Sequence, residues 1–349
     1  MHRSRGSLLL AATILCGRVA LAQQKSAPIA DSAAAPPRTT LPQTYRVAPD
    51  RFFLFTRPAR LRSVRSVPRD LAEVTRRAGD RHSLLVLGGM VAGTALLVAT
   101  DQQIVDETQR FGRRISLSTN HTEIRVGGLL ELPTTFSSGL YFIGNGWTQL
   151  GVAGSFLAFG SLRNDYRALR TASEITEALM GVGIAAQLGK HIAGRETPGT
   201  ATVSGGRWRP FPSPSAYAEN VPRYDAFPSG HLAALWSTVL VVAENYPEKR
   251  FVRPIGYATT ALVAFVMVNN GVHWVSDYPL ALVIGSAFAH RAVERGRTVL
   301  DRAPDSPLPS GLVEDASRRH LGIVRWLKSS DVVPLVGRHV RGMGLSHAF

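Results

Sequence analysis

The sequence predicts an all-α fold, a helical bundle of about six core helices. Three observations predict it. The apolar stretches run too long for typical strands and reach helix length. Glycine and proline, which punctuate structure, concentrate in one segment between the third and fourth stretches instead of recurring at strand spacing. Hydrophobic residues make up 45% of the chain and charged residues 19%, a balance that suits a helical domain either embedded in a membrane or water-soluble with a very apolar core. At 349 residues the chain is long enough for one large domain or two small ones.

In chain order, residues 1–22 read as a secretory signal. His2, Arg3 and Arg5 give a positive start, Leu8 to Leu15 is a short apolar run, and Ala20-Leu21-Ala22 is a small-x-small cleavage site before Gln23. Arg18 interrupts the pattern, and an uncleaved anchor is the other reading. The only cysteine, Cys16, lies in this segment, so a cleaved chain has no disulfide or thiol chemistry. Residues 23–82 read as a disordered and basic lead-in. The first part is rich in Ala, Pro, Ser and Gln. The second carries Arg57, Arg60, Arg62, Arg65, Arg69, Arg76, Arg77 and Arg81, as a solvated face or a contact with anionic headgroups.

Residues 83–295 hold the predicted helical domain. Ser83 to Thr100 has no charge and approaches bilayer-spanning length, with Gly89 and Gly93 in small-xxx-small spacing. Pro133 to Leu162, Ala178 to Gly189, Ser229 to Ala243, Pro254 to Val272 and Tyr278 to Ala289 complete the set. A Gly/Pro-dense loop over 192–228 separates the third from the fourth. Loops of this length carry function or are disordered. Residues 296–349 read as a polar tail, with short strands expected after Val332. The net charge of +15 favours anionic partners. Nucleic acid ranks last, because the basic residues are scattered and no nucleic-acid motif is present.

Three sequence elements carry chemistry. Pro228-Ser229-Gly230-His231 precedes an apolar run. Ser229 suits an N-cap, Gly230 lets a ligand approach, and the helix N-terminus offers N–H groups and a positive dipole end to an anion. His231 then stands beside that anion, although in isolation the four residues read equally as a plain helix start. His273 and Asp277, four apart, share a face on a helix or helical turn. The carboxylate can orient one ring nitrogen and raise the basicity of the other. A structural His–Asp pair is the ordinary alternative. A zinc site is disfavoured because no paired histidines at ligand spacing share a helix. Lys190 and Arg195 end the third apolar stretch, as dipole partners or as phosphate cations. In this order the elements make a phosphate pocket with a nucleophile and an acid.

The sequence resembles the type 2 phosphatidic acid phosphatase (PAP2) superfamily, which includes bacterial class A acid phosphatases and vanadium haloperoxidases. The resemblance spans roughly residues 83–295. Lys190 and Pro198 match the first motif, with Gly194-Arg195 a frequent accompaniment. Pro228 to His231 match the second in full, and His273 and Asp277 match the third. It implies that His273 is the nucleophile, that Asp277 orients it, and that His231 protonates the leaving alcohol and later activates water. It implies that Lys190, Arg195, Ser229 and Gly230 bind phosphate oxygens, with no cofactor and no metal. Two motif arginines are replaced, by Thr197 and by Met267, the latter preceded by Val266. Each would be a bidentate clamp, and losing one such charge stabiliser costs about 10²–10³ in rate. Arg195, Arg207, Arg209, Arg223 and His191 are near enough in sequence to substitute, and Asn269 and Asn270 can donate without charge.

These features imply a phosphatase of the bacterial cell envelope that needs no metal. It would act on a phosphorylated lipid or small phosphate ester, from the inner membrane with a periplasm-facing site or from the periplasm. The alternatives are a catalytically degenerate relative that binds an anionic headgroup or partner, and a vanadate-dependent haloperoxidase. Topology carries a tension: counting six spans from an exported N-terminus puts Lys190 and the 192–228 loop on the inside.

Overall fold

Alternating aromatic and polar residues form the first described strands, in a computed structural model that describes residues 42–59, 62–119, 123–126, 130–301, 331–337 and 340–346. Strands β1 (Gln43–Ala48) and β2 (Arg51–Phe55) form an antiparallel hairpin. Phe53 and Phe55 point inward onto Tyr166 and Leu169. Helix α1 (Arg62–Arg77) follows. This segment is a correction to the lead-in expected over residues 23–82. Its arginines are not merely solvated, because Arg62 pairs with the buried Glu177 at 3.1 Å. The signal expected at residues 1–22 and the linker up to residue 41 lie outside the described residues.

The apolar stretches form helices as expected. They are α2 (Arg81–Val98), α4 (Phe136–Phe142) with α5 (Gly146–Arg163), α6 (Tyr166–Ala193), α8 (Gly230–Asn245), α9 (Val252–Asn269) and α10 (Tyr278–Glu294). The sequence reading missed α3 (Asp101–Arg114) and the short α7 (Pro214–Glu219). Two hairpin strands, β3 (Glu123–Val126) and β4 (Leu130–Pro133), lie between α3 and α4. β5 (Thr298–Leu300) joins the N-terminal hairpin as a third strand. β6 (Asp331–Gly337) and β7 (Val340–Ser346) pair antiparallel, the short strands expected after Val332.

Local chemistry sets the helix ends. Asn145 caps α5 by accepting from the Trp147 amide at 2.9 Å, and Asp165 caps α6 by accepting from the Ala168 amide at 2.9 Å. α6 stops at Gly194, whose φ of +56° is open to glycine. A side chain there would also meet the Arg209 carbonyl oxygen.

Helices α6, α8 and α10 pack mutually at the centre. Gly285 of α10 lies against the Ala233 carbonyl of α8, and Gly181 of α6 lies against the Phe288 ring of α10. α5 lies on α6, α9 on α8, α1 on α6 and α10, and α3 and α4 on α9. In chain order α6, α8, α9 and α10 alternate in direction. At one end the start of α6 meets the end of α8, where Arg167 donates to the Asn245 carbonyl at 2.6 Å. At the other end the last turn of α6, the start of α8, the end of α9 and the start of α10 converge. Helix α2 differs from the rest. It touches α10 and the turn before it but has no buried residue, and its Leu85 and Leu96 are 76% and 72% exposed.

Candidate active site

The Pro-Ser-Gly-His run forms the start of α8. Ser229 is the N-cap and accepts from the Leu232 amide at 3.3 Å. Its own amide donates to the Asp277 carbonyl at 3.2 Å, which joins the second sequence element to the third. Gly189 lies against the Pro228 ring, so the last turn of α6 can press onto this start. His231, in the first turn, packs on Tyr141 of α4 with ring centroids 4.6 Å apart. The His231 and His273 rings meet edge-on, with centroids 6.4 Å apart and planes 61° apart.

His273 is buried, in the link between α9 and a 3-10 turn at Val275–Asp277. Its Nδ1 lies 2.8 Å from the Ala226 carbonyl oxygen and 3.4 Å from Asp277 Oδ2. A carbonyl oxygen can only accept, so Nδ1 carries the proton and Nε2 the lone pair. The expected His–Asp contact is present, but the shorter bond goes to a backbone carbonyl of the Gly/Pro loop. Asp277 is itself held by the Trp274 amide at 2.7 Å and by Arg195 Nη1 at 2.7 Å.

Lys190, in the last turn of α6, places Nζ 2.8 Å from Asp225 Oδ1 and beside Gly230. Tyr217 of α7 donates to the same carboxylate oxygen at 2.6 Å. Arg195 is fully buried. Its Nη1 donates to Ser276 Oγ at 2.6 Å and to Asp277, and its Nη2 donates to Asp101 Oδ2 and the Gly205 carbonyl, both at 2.7 Å. The Trp208 and Trp274 rings lie against the guanidinium at 4.7 and 5.1 Å. The expectation that Arg195 binds a phosphate oxygen is therefore corrected. Four acceptors already take both terminal nitrogens, and only Nε, buried, is left without a hydrogen bond. Asp101 was missed because a carboxylate in the first turn of a helix reads as an ordinary dipole partner.

Residues 172–297 match the PAP2 superfamily model. This stretch is a PAP2 domain. It contains Lys190, the 192–228 loop, α8, α9 and the His273 turn. A solved structure described as the first transmembrane PAP2 type phosphatidylglycerolphosphate phosphatase, from Bacillus subtilis, is similar at 15% sequence identity. It covers 67% of this chain and 96% of that one, with a TM-score of 0.37. A likeness at that level says nothing of substrate. No curated protein matches the chain.

In this PAP2 domain the two substituted motif positions are both built into the core. Met267 is fully buried, with Sδ 3.9 Å from Ser229 Oγ, so a thioether stands against the N-cap of α8. Thr197 is buried and turns its hydroxyl to Thr200 at 3.0 Å. Of the nearby substitutes, Arg209 pairs with Glu196 at 2.6 Å, His191 stacks on Tyr217 with centroids 4.2 Å apart, and Arg207 and Arg223 are exposed. Asn269 donates to the Ser118 carbonyl at 2.8 Å, and Asn270 binds Ser137 of α4. Both asparagines tie α9 to its neighbours.

The Gly/Pro loop is ordered around Glu196. Burial by itself would raise this carboxyl. The amides of Thr202 and Arg207, each 2.9 Å away, and the Arg209 guanidinium outweigh that and hold its pKa at about 2. The Glu196 carbonyl accepts from Trp274 Nε1 at 2.8 Å, which fastens the loop to the His273 turn.

Proposed function

We propose that the PAP2 domain hydrolyses a phosphate ester through a phosphohistidine. One observation carries this reading: His273 has Nδ1 fixed on the Ala226 carbonyl, which leaves Nε2 as a nucleophile, with the His231 ring beside it at a centroid distance of 6.4 Å. His273 Nε2 attacks phosphorus, and the ester oxygen leaves with a proton from His231. Water then gives a proton to His231 and its oxygen displaces the histidine. Lys190, Ser229, the Gly230 amide and the N-terminus of α8 stabilise the charge. Arg195 and Asp277 position His273. The proposed domain runs from residue 83 to 295.

The proposed substrate is a phosphorylated lipid or small phosphate ester, met at a membrane. Two helices, α2 and α9, are long and apolar enough to cross one. The end of the bundle away from the site carries Arg163, Arg167, Lys249, Arg250, Arg253, Arg291, Arg295 and Arg297, next to α1 with Arg65, Arg69, Arg76 and Arg77. The site end carries Lys190, Arg195, Arg207, Arg209, Arg223 and, on α3, Arg110, Arg113 and Arg114; we read the larger basic cluster on the far end as the cytoplasmic one and the site as outward-facing. α2 starts near the basic end and finishes at Val98, just before Asp101, so on this reading the residues preceding it belong on the inner side. On this reading the uncleaved-anchor alternative for residues 1–22 is the one that fits.

The test is hydrolysis by the purified full-length protein, without added metal, across lipid and soluble phosphates. Activity should fall to background in His273→Ala. Activity that survives this substitution would overturn the mechanism. The buried Met267 supports a second reading, a site that binds a headgroup without turnover. In that case the wild type is inactive and the Thr197→Arg/Met267→Arg double variant gains activity.

A further inference from the structure

We propose that this pocket selects a phosphoryl group carrying one negative charge and disfavours the dianion. The inference rests on the phosphate-site reading above and names the substrate class of that site. It follows from the charged groups that touch His273 or the start of α8, directly or through a chain of ion pairs. The last turn of α6 supplies Lys190, already paired with Asp225. The loop supplies Arg195, shared between Asp101 of α3 and Asp277 of the 3-10 turn. That makes two cations against three carboxylates.

α9 contributes Met267 where the family pattern has arginine, and its sulfur contacts Ser229 at the start of α8. α4 contributes Tyr141, and α10 contributes Tyr278, whose ring faces His273. Arg209 is paired with Glu196, and Arg207 and Arg223 are exposed. The N-terminus of α8 adds about half a positive charge, which leaves the surroundings slightly negative before either histidine is protonated. Such a pocket tolerates one anionic charge on the ligand, through Lys190 and the α8 amides, and resists a second.

A singly charged phosphoryl group has two sources. One is a phosphodiester, which is a monoanion throughout the neutral range. The other is a monoester that has taken up a proton below its second pKa of about 6. Either undergoes the same balanced exchange. The N–P bond to His273 forms as the P–O bond to the leaving alcohol breaks, and His231 supplies the proton. For a diester the product is a monoester, whose second charge favours its release.

The test compares two ligands on the full-length protein in detergent, by calorimetry at pH 8 and pH 5.5. Dimethyl phosphate is a monoanion at both pH values, and methyl phosphate is a dianion only at the higher. At pH 8 dimethyl phosphate should bind at least tenfold tighter, about 1.4 kcal/mol. Methyl phosphate should gain about tenfold more than dimethyl phosphate on going to pH 5.5, which separates the ligand's proton from any on the histidines. Met267→Arg should abolish the preference at pH 8. Asp225→Asn should move it the same way and does not ask the core to bury an arginine. Methyl phosphate binding as tightly as dimethyl phosphate to the wild type at pH 8 overturns the inference and leaves the phosphatase reading standing. If neither ligand binds at either pH, both fall. Hydrolysis of the diester, or of the monoester only at acid pH, then tells which source is the substrate.

Discussion

Removing the Arg195 guanidinium strands two buried carboxylates. Asp101 and Asp277 both lie within 2.7 Å of it, and breaking a buried pair by deleting one partner costs about 3–5 kcal/mol. Arg195→Ala should therefore lower stability by about that amount in denaturant unfolding. Arg195→Lys should recover only part, because one ammonium cannot fork across Asp101, Ser276 and Asp277 together. Full stability in the alanine variant would sink the brace. The sequence made Arg195 legible as a cation beside Lys190 but not its use, since its partner Asp101 lies 94 residues away. His231 and His273 were legible because short motifs fix their local setting: Ser229 caps α8, and His273 and Asp277 sit on one turn. The Ala226 carbonyl that holds His273 Nδ1 carries no side-chain signature, so no motif announces it.

At the scale of the element, the 194–229 loop depends on a carboxylate that must stay ionised. The pKa of Glu196 is depressed to about 2 by amide donors and Arg209, whereas an unfolded glutamate titrates near ~4.3. A depressed pKa stabilises the fold fully above the unfolded value and loses that contribution as pH falls toward the folded one. Amide exchange in the loop should be flat from pH 7 to pH 5, after correction for intrinsic rates. Protection should then fall between about pH 4.5 and pH 2. Glu196→Gln should expose the loop at neutral pH and remove the transition, and an unchanged acid profile in that variant would count against the role. Which elements exist was largely readable where apolar runs are long, as in α2, α5, α8, α9 and α10. α1 and α3 were not, because their charged faces mask thin buried stripes such as Val67 and Val105. The N-terminal hairpin was hidden for a different reason: it is stabilised by contacts with Tyr166 and Leu169, far along the chain.

For the whole molecule, the proposed outward-facing site can be checked with two single-cysteine proteins. With Cys16 replaced by serine, a cysteine at Val203, in the site loop, should react with an impermeant maleimide in cells whose outer membrane is opened. One at Lys249, in the α8–α9 connection, should react only after lysis. The reverse pattern would overturn the outward-facing site. The bundle was legible as a bundle, but its orientation was not, since sequence order alone does not say which helix ends gather at the histidines. Helix α2, with no buried residue, has a thermodynamic consequence of its own. It draws little of its stability from packing within the chain, so its cohesion is set by the solvent or lipid around it and not by the melting of α6, α8 and α10. Unfolding should not follow a single cooperative transition. A calorimetric scan should shift its α2-dependent part with detergent chain length while the core transition stays in place.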